Sequence, residues 1–330
     1  MHQDAFYFCG NCRLLAGSYL NHPVVRLPCA ILPAAPVDRR RAGGVLLLIA
    51  AAALWSLNGV GVKVLADVPT VGFALWRSLG AAIAAGCFVG LLRVRSKATG
   101  QRPAAGPLVV ACGLYTANVT LVLLAMRENT AALGILLQYT GPAWVALLAW
   151  LLLKRRIGTR TALALGLAGA GVAVMLAGTR GTPLAIVYGL SSGLAYGGTI
   201  LALDWVDRRA AGTPDVAAIV FWLNAAAVAL LLPLSLVLGE SGVGLGWRTL
   251  ALVAAFGVVQ LAIPYALFQL ALPRVGPTDA ALIVLLEPVL TPLWTWLAVG
   301  ERPDAATFAG GALLLAALSV EATKRRGFGR

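Results

Sequence analysis

The sequence predicts an all-α polytopic membrane protein whose ten transmembrane helices form two inverted five-helix repeats. Composition is the first ground. The 330 residues are 60% hydrophobic and 12% charged, with a mean hydropathy of +0.86. Soluble domains average about 45–50% apolar and about 25% charged. Thirteen acidic and 26 basic residues would clothe a soluble protein of this size poorly. This argues against a soluble enzyme, a disulfide scaffold and a disordered regulator. The second ground is a succession of ten apolar runs, each long enough to cross a bilayer. The third is an internal match of the chain with itself at an offset of 146 residues.

Residues 1–42 stand apart. They carry Asp4, Arg13, Arg26 and Asp38 with prolines at 23, 28, 33 and 36, and lack an apolar run after a basic start. They read as a disordered cytoplasmic tail and not as a signal peptide. Ten segments follow, near 43–66, 70–92, 106–126, 130–153, 160–178, 183–203, 214–238, 248–270, 277–299 and 303–322. Chain breakers such as Pro69, Gly106, Asn129, Gly158, Gly181, Gly212, Gly239 and Gly276 sit in or beside the gaps. A span of hydrocarbon takes about 20 helical residues. Lipid offers no water to backbone groups, so spans must be helices or a closed barrel. Continuous apolar runs, without period-2 alternation, select helices. The expected division is a tail at 1–42, repeats at 43–178 and 183–322, and a basic cytoplasmic tail at 323–330.

The net charge of +13 would suggest nucleic acid in a soluble protein. Here it reads as topology. With the N-terminus inside, the inner loops hold 18 basic residues, including Arg39–Arg41, Lys154–Arg156 and Lys324–Arg326. The outer loops hold four: Arg127, Arg180, Arg248 and Arg302. Basic residues collect on the cytoplasmic side, so both termini are expected inside a bacterial cell membrane, with lipid and no nucleic acid as surroundings. Cys9 and Cys12 form a lone CxxC, with Cys29 further on and no partner at defined spacing beyond His22. Cys87 and Cys112 lie within apolar runs. No metal site and no cofactor are expected.

At the 146-residue offset Trp76 falls on Trp222, Pro142 on Pro288, Trp150 on Trp296, Arg156 on Arg302 and Thr161 on Thr307. The second to fifth segments of each half share this register; the first and sixth need a gap. Five spans per half is an odd number, so the second half enters the membrane from the opposite side. Inverted repeats recur in secondary transporters.

Polar residues within the spans mark where chemistry can occur. Proline lacks an N–H and displaces the carbonyl four residues earlier. Pro142, Pro264 and Pro288 should therefore kink their helices and free the carbonyls of Gln138, Gln260 and Val284. Such kinks serve either a central cavity or packing alone. Glu287 is the only acid deep within a span, where a charge costs at least about 2.5–3.5 kcal/mol. It could meet a substrate amine, carry a proton, or form a structural ion pair. Arg77 should face the bundle interior and be paired there, and Lys63, near an outer helix end, can snorkel. Uncharged polar and aromatic groups accompany them: Trp55, Ser56 and Asn58; Tyr115 and Asn118; Gln138 and Tyr139; Tyr188, Ser191, Ser192 and Tyr196; Gln260 and Tyr265. The first, third, fourth, sixth, eighth and ninth helices are thus expected to line a substrate pathway and the others to brace it, Asn224 in the seventh being the main polar exception. Ala162, Gly166 and Ala170, at i+4 spacing in the fifth helix, are expected to form a close-packing stripe.

At these residues the chain resembles the drug/metabolite transporter superfamily, in its EamA-type ten-helix group, over about residues 43–322. Leu54-Trp55-Ser56-Leu57-Asn58 through Lys63 is similar to that family's opening W-G-x-N…K pattern, with Ser56 where Gly is commoner. Ala74-Leu75-Trp76-Arg77 resembles its second-helix L-R segment. Leu286-Glu287-Pro288 followed by Val299-Gly300-Glu301-Arg302 matches its L-E-P…G-E signature. The first half departs from it, with Lys154-Arg155-Arg156 where Gly-Glu is common. The resemblance implies a bacterial inner-membrane transporter that exports small polar metabolites, such as amino acids, by alternating access. The same helices, 1, 3, 4, 6, 8 and 9, would surround the site. A channel-like or receptor-like protein, or a transporter of drugs or nucleotide-type metabolites, is the alternative. Proton coupling through Glu287 and facilitated diffusion both remain open, and the chain is expected to be a monomer or weak homodimer. The two histidines lie in the tail, so no catalytic constellation is expected in the spans. No Walker A pattern provides for ATP.

Overall fold

The computed structural model describes residues 39–95, 105–153, 157–178, 183–209, 216–275, 280 and 283–324. The cysteine and histidine readings at residues 2–29 lie outside them. Among the described residues there are helices and no strands. Eight helical runs are long and apolar enough to cross a membrane, from Arg40–Val64 to Trp247–Leu272, and Ala305–Val320 is a shorter apolar one. Leu286–Val299 covers the latter part of the ninth expected segment. Ten helical segments therefore follow one another where apolar runs predict them.

The first segment starts at Arg39 and is divided. Helix α1 (Arg39–Ser56) stops at Leu57 and α2 (Asn58–Val64) continues to the next turn. Residues 45–56, which lead up to this break, contain no proline or glycine. Helices α3 (Thr70–Arg95) and α4 (Ala105–Glu128) are continuous. The fourth segment splits into α5 (Ala131–Gln138) and α6 (Gly141–Leu153) around Tyr139 and Thr140. Every residue from Ala131 to Leu137 is buried, which explains why this stretch is apolar all round. Helices α7 (Thr159–Gly178), α8 (Pro183–Arg209) and α9 (Val216–Val237) follow. The eighth segment comprises α10 (Trp247–Gly257), a π-helical turn over Val258–Ala262, and α11 (Ile263–Val275). The ninth turns at Leu285 before α12 (Leu286–Val299), and α13 (Ala305–Lys324) ends the described chain.

The helices depart from regularity just ahead of all three prolines. The breaks at Tyr139 and Leu285 lie one repeat offset apart, each three residues before its proline. Ahead of Pro264 the helix widens, with the Ile263 N–H donating to the Val258 carbonyl five residues back. A π-bulge is a common way to absorb such a disruption and is frequent at functional sites. Pro233 and Pro292, by contrast, lie within helices that continue past them.

Packing follows the repeat. The principal helix pairs are α3 with α9, α7 with α13, α4 with α8, and α1 with α11. Exchanging the two halves maps the first two pairs onto themselves and the last two onto each other, as an inverted repeat requires. Two of the matched pairs share environments, whereas Trp76 is half-buried and Trp222 exposed. Trp150 and Trp296 are 50% and 46% exposed, on surface available to lipid, whereas Thr161 and Thr307 are 6% and 2% exposed.

One packing expectation is corrected. Ala162, Gly166 and Ala170 are exposed and do not form the contact stripe of α7. The buried stripe is Thr161, Ala164, Ala168, Gly171 and Met175. Gly171 meets the Gly310 carbonyl of α13, and Gly310 meets that of Gly171. Both stripes have small residues at helical spacing; the partner helix selects the one that lets two backbones touch.

Candidate functional site

The site is built on the broken helices. At the α5–α6 break, Tyr139 is freed from regular helix and its side chain crosses to the other repeat. Its hydroxyl donates to Glu287 Oε2 at 2.8 Å and lies 3.4 Å from the carbonyl of Val284. That carbonyl is one of those that proline displaces, and so it gains a polar neighbour in place of a helical donor. Glu287 has no cation within 4.0 Å among the described residues, so the structural ion pair foreseen as one of its roles is not formed there. Tyr196 and Tyr265 also lie within electrostatic range of it. The only acid deep within a span therefore sits among three phenols at the meeting of two pseudo-symmetric breaks.

Arg77 forms a second cluster. It is 1% exposed. Its Nη1 donates to Asn58 Oδ1 at 2.6 Å and to Gln260 Oε1 at 3.1 Å. Its carbon Cζ lies 5.8 Å from the centroid of the Phe73 ring. The expected pairing is thus met by amides, not by an acid. Two local features place these amides. Gln260 lies in the π-turn, and its Nε2 donates to the Trp55 carbonyl at 3.2 Å, satisfying a group that the Leu57 break exposes. Asn58 opens α2 just past that break. The backbones of α3 and α10 also approach closely here. An added Cβ at Gly257 would strike the Arg77 carbonyl, and one at Gly80 would strike that of Ala254.

Further residues join the clusters. The Trp55 ring meets Tyr265 edge-on at 5.1 Å and Phe268 at 5.7 Å. Ser56 accepts from Trp294 Nε1 at 2.8 Å. Tyr115 donates to Asn224 Oδ1 at 3.0 Å, so the bracing helix α9 supplies part of the network. Gln138 Nε2 donates to Asn118 Oδ1 at 3.1 Å. Ser192 donates only to its own helix, at the Gly189 carbonyl, and Tyr188 makes no hydrogen bond among the described residues. Pro142 lines a small apolar crevice against α7 and α13, bordered by Tyr139, Ala146, Thr161, Leu165 and Leu318. Pro264 and Pro288 are buried.

Lys63 does not simply reach for the membrane surface. It pairs with Glu301 Oε2 at 2.9 Å and donates to the Asn129 carbonyl at 2.5 Å. Gly300 explains how the acid arrives there. Its φ of +70° ends α12 in the left-handed conformation that glycine adopts without strain. The chain then turns so that Glu301 Oε1 accepts from the Ala131 N–H at the start of α5. Nearby, Glu240 Oε2 accepts from the Val71 N–H, Trp76 Nε1 donates to the Ser241 carbonyl, and Arg127 donates to the carbonyls of Leu65 and Ala66. The Glu301, Glu240 and Trp76 contacts tie the first half to the second at one end of the bundle, and the Arg127 bonds join two turns of the first half there. Sequence reading missed Glu301, Glu240 and Trp294 as linking groups. The Gly-Glu step after the ninth segment is the one signal that could have found the first of them.

Known proteins bear on this arrangement. The model of the EamA-like transporter family matches the chain twice, over residues 42–177 and 183–320. An uncharacterized transporter of Archaeoglobus fulgidus is 30% identical over 196 residues, 59% of this chain and 68% of that protein. A protein of known crystal structure superposes with a TM-score of 0.61 at 20% identity, covering 88% of this chain and 99% of its own. That likeness concerns the fold alone. Two matches that take up both halves of a ten-segment helical membrane protein lead to one conclusion: the chain belongs to the EamA-like transporter family.

Proposed function

We propose that this transporter moves small polar metabolites, amino acids or close relatives, out of the bacterial cytoplasm across the inner membrane by alternating access. Both termini are cytoplasmic in this reading, which places the Lys63–Glu301 end outside. The observation that carries it is the Tyr139–Glu287 hydrogen bond. It joins the two repeats where both are broken, through a half-buried acid with no cation within 4.0 Å among the described residues. A carboxylate among phenols suits an ammonium group, which would lie between Glu287 and the ring faces. The bonds at the Lys63–Glu301 end support a state closed on that side.

Overexpression in bacteria challenged with a panel of toxic amino-acid analogues tests the reading. Raised tolerance to a subset is expected, and unchanged tolerance across the panel contradicts the amino-acid assignment. Coupling is read from reconstituted flux with and without an imposed pH gradient. Flux that depends on the gradient shows proton coupling; flux that does not removes Glu287 as an obligatory proton carrier and favours facilitated diffusion.

A further inference from the structure

Arg77 is a buried cation that the described structure leaves half-used. Both of its hydrogen bonds leave from one nitrogen, Nη1. Its Nε is buried with no hydrogen-bond partner. No carboxylate lies within 4.0 Å of it among the described residues, and Nη2 makes no hydrogen bond there either. Nε and Nη2 form one edge of the guanidinium, with two parallel N–H groups spaced to take a carboxylate side-on. A merely structural arginine would be expected to use that edge, because a buried unsatisfied donor is destabilising.

The surroundings hold this edge in place. Nη1 is fixed from two directions, by Asn58 after the Leu57 break and by Gln260 in the π-turn, and both segments depart from regular helix. Tyr265 lies within electrostatic range of Arg77 and of Glu287 alike. One phenol thus lies within electrostatic range of a cation and an acid that, among the described residues, have no oppositely charged partner.

We propose that the Nε–Nη2 edge of Arg77 is the subsite for a substrate carboxylate, with the substrate's ammonium group directed past Tyr265 toward Glu287. This rests on the transporter reading above and narrows it: the substrate must carry a carboxylate as well as an amine. Neutral amides and simple amines lack the group that Arg77 binds.

The test is flux in proteoliposomes, with matched series followed by mass spectrometry. The probes are the protein amino acids, their primary amides, and the amines left when the carboxyl group is removed. The wild-type protein should move at least one acid about tenfold or more faster than its amide and amine, since a site built around a hydrogen-bonded group rejects analogues lacking it. Arg77→Lys keeps the charge but loses the fork, and should flatten that preference. Asn58→Asp places a permanent carboxylate beside Nη1. If Arg77 serves the substrate, this neighbouring negative charge should weaken its hold on a carboxylate and depress flux of the acids; if it serves structure alone, the new ion pair leaves flux intact. Size-exclusion profiles check that each variant is folded, and where Arg77→Lys is not, Asn58→Asp and the wild-type series decide.

Amides and amines that move as fast as the acids overturn the Arg77 assignment and leave the transporter reading standing. Acid flux in Asn58→Asp at the wild-type rate overturns it too. A wild-type protein that moves none of the probes removes both this proposal and the amino-acid reading beneath it.

Discussion

Two cations of the first repeat have opposite surroundings. Lys63 lies at an end of the bundle against Glu301, a carboxylate that also receives the first N–H of α5. Arg77 lies within the bundle with only amide oxygens for partners. An exposed or half-exposed ion pair contributes little to stability, about 0–1 kcal/mol, but it fixes which surfaces meet. A buried cation without an acid is costly, and is retained where its charge has a use. The difference separates the end of the molecule, where charges pair to hold the halves together, from its middle, where charges are held apart.

The largest effect should come from breaking the support of the middle. Gly257→Ala puts a methyl group against the Arg77 carbonyl. Two helix backbones must separate, and overpacking of this kind costs about 1–3 kcal/mol. A lowered thermal midpoint in detergent is expected; an unchanged midpoint would mean that the α3–α10 contact is not what holds Arg77.

A comparable stability effect with a larger functional one is expected of Tyr139→Phe. It removes the hydroxyl from Glu287 Oε2 and leaves the ring. Hydrogen bonds to charged groups contribute about 1.5–3 kcal/mol. Flux should fall several-fold while the protein remains monodisperse. Normal flux would detach this contact from transport.

The end of the bundle should respond more weakly. A double-mutant cycle on Lys63→Gln and Glu301→Gln should give a coupling of about 0.2–1 kcal/mol that shrinks with added salt. Glu301→Ala should cost more than Lys63→Ala, because it also uncaps the Ala131 N–H, a difference of about 0.3–1 kcal/mol. Equal costs would show that the cap contributes no more than the Lys63–Asn129 bond that Lys63→Ala also removes. The weakest effect is expected at Ala162→Leu, on the exposed side of α7, within about ±0.5 kcal/mol.

Much of this architecture is legible in the chain because its causes are local. Apolar length writes the spans, and a proline declares its own kink, as at Pro142, Pro264 and Pro288. The Leu57 break has no such mark. Its exposed Trp55 carbonyl is bonded by the side chain of Gln260, 205 residues further on, and no window around Leu57 contains that partner. The choice of stripe on α7 was equally hidden. Two rows of small residues run along that helix, and only the position of Gly310 on α13 decides between them. Glu287 and Arg77 were visible as anomalous charges, but what lies beside them is a tertiary fact. That Arg77 meets Asn58 and Gln260 follows from two irregular segments coming together, and neither irregularity concerns a charge.

The central claim is that the acid at the meeting of the two breaks handles the substrate. Flux through wild-type protein and Glu287→Gln, reconstituted at equal density, tests it most directly. Gln keeps the shape and can still accept from Tyr139, so membrane abundance should be unchanged. The account predicts a loss of flux of about tenfold or more, the scale of a lost charge-assisted contact of at least ~1.4 kcal/mol. Wild-type flux in Glu287→Gln would contradict it.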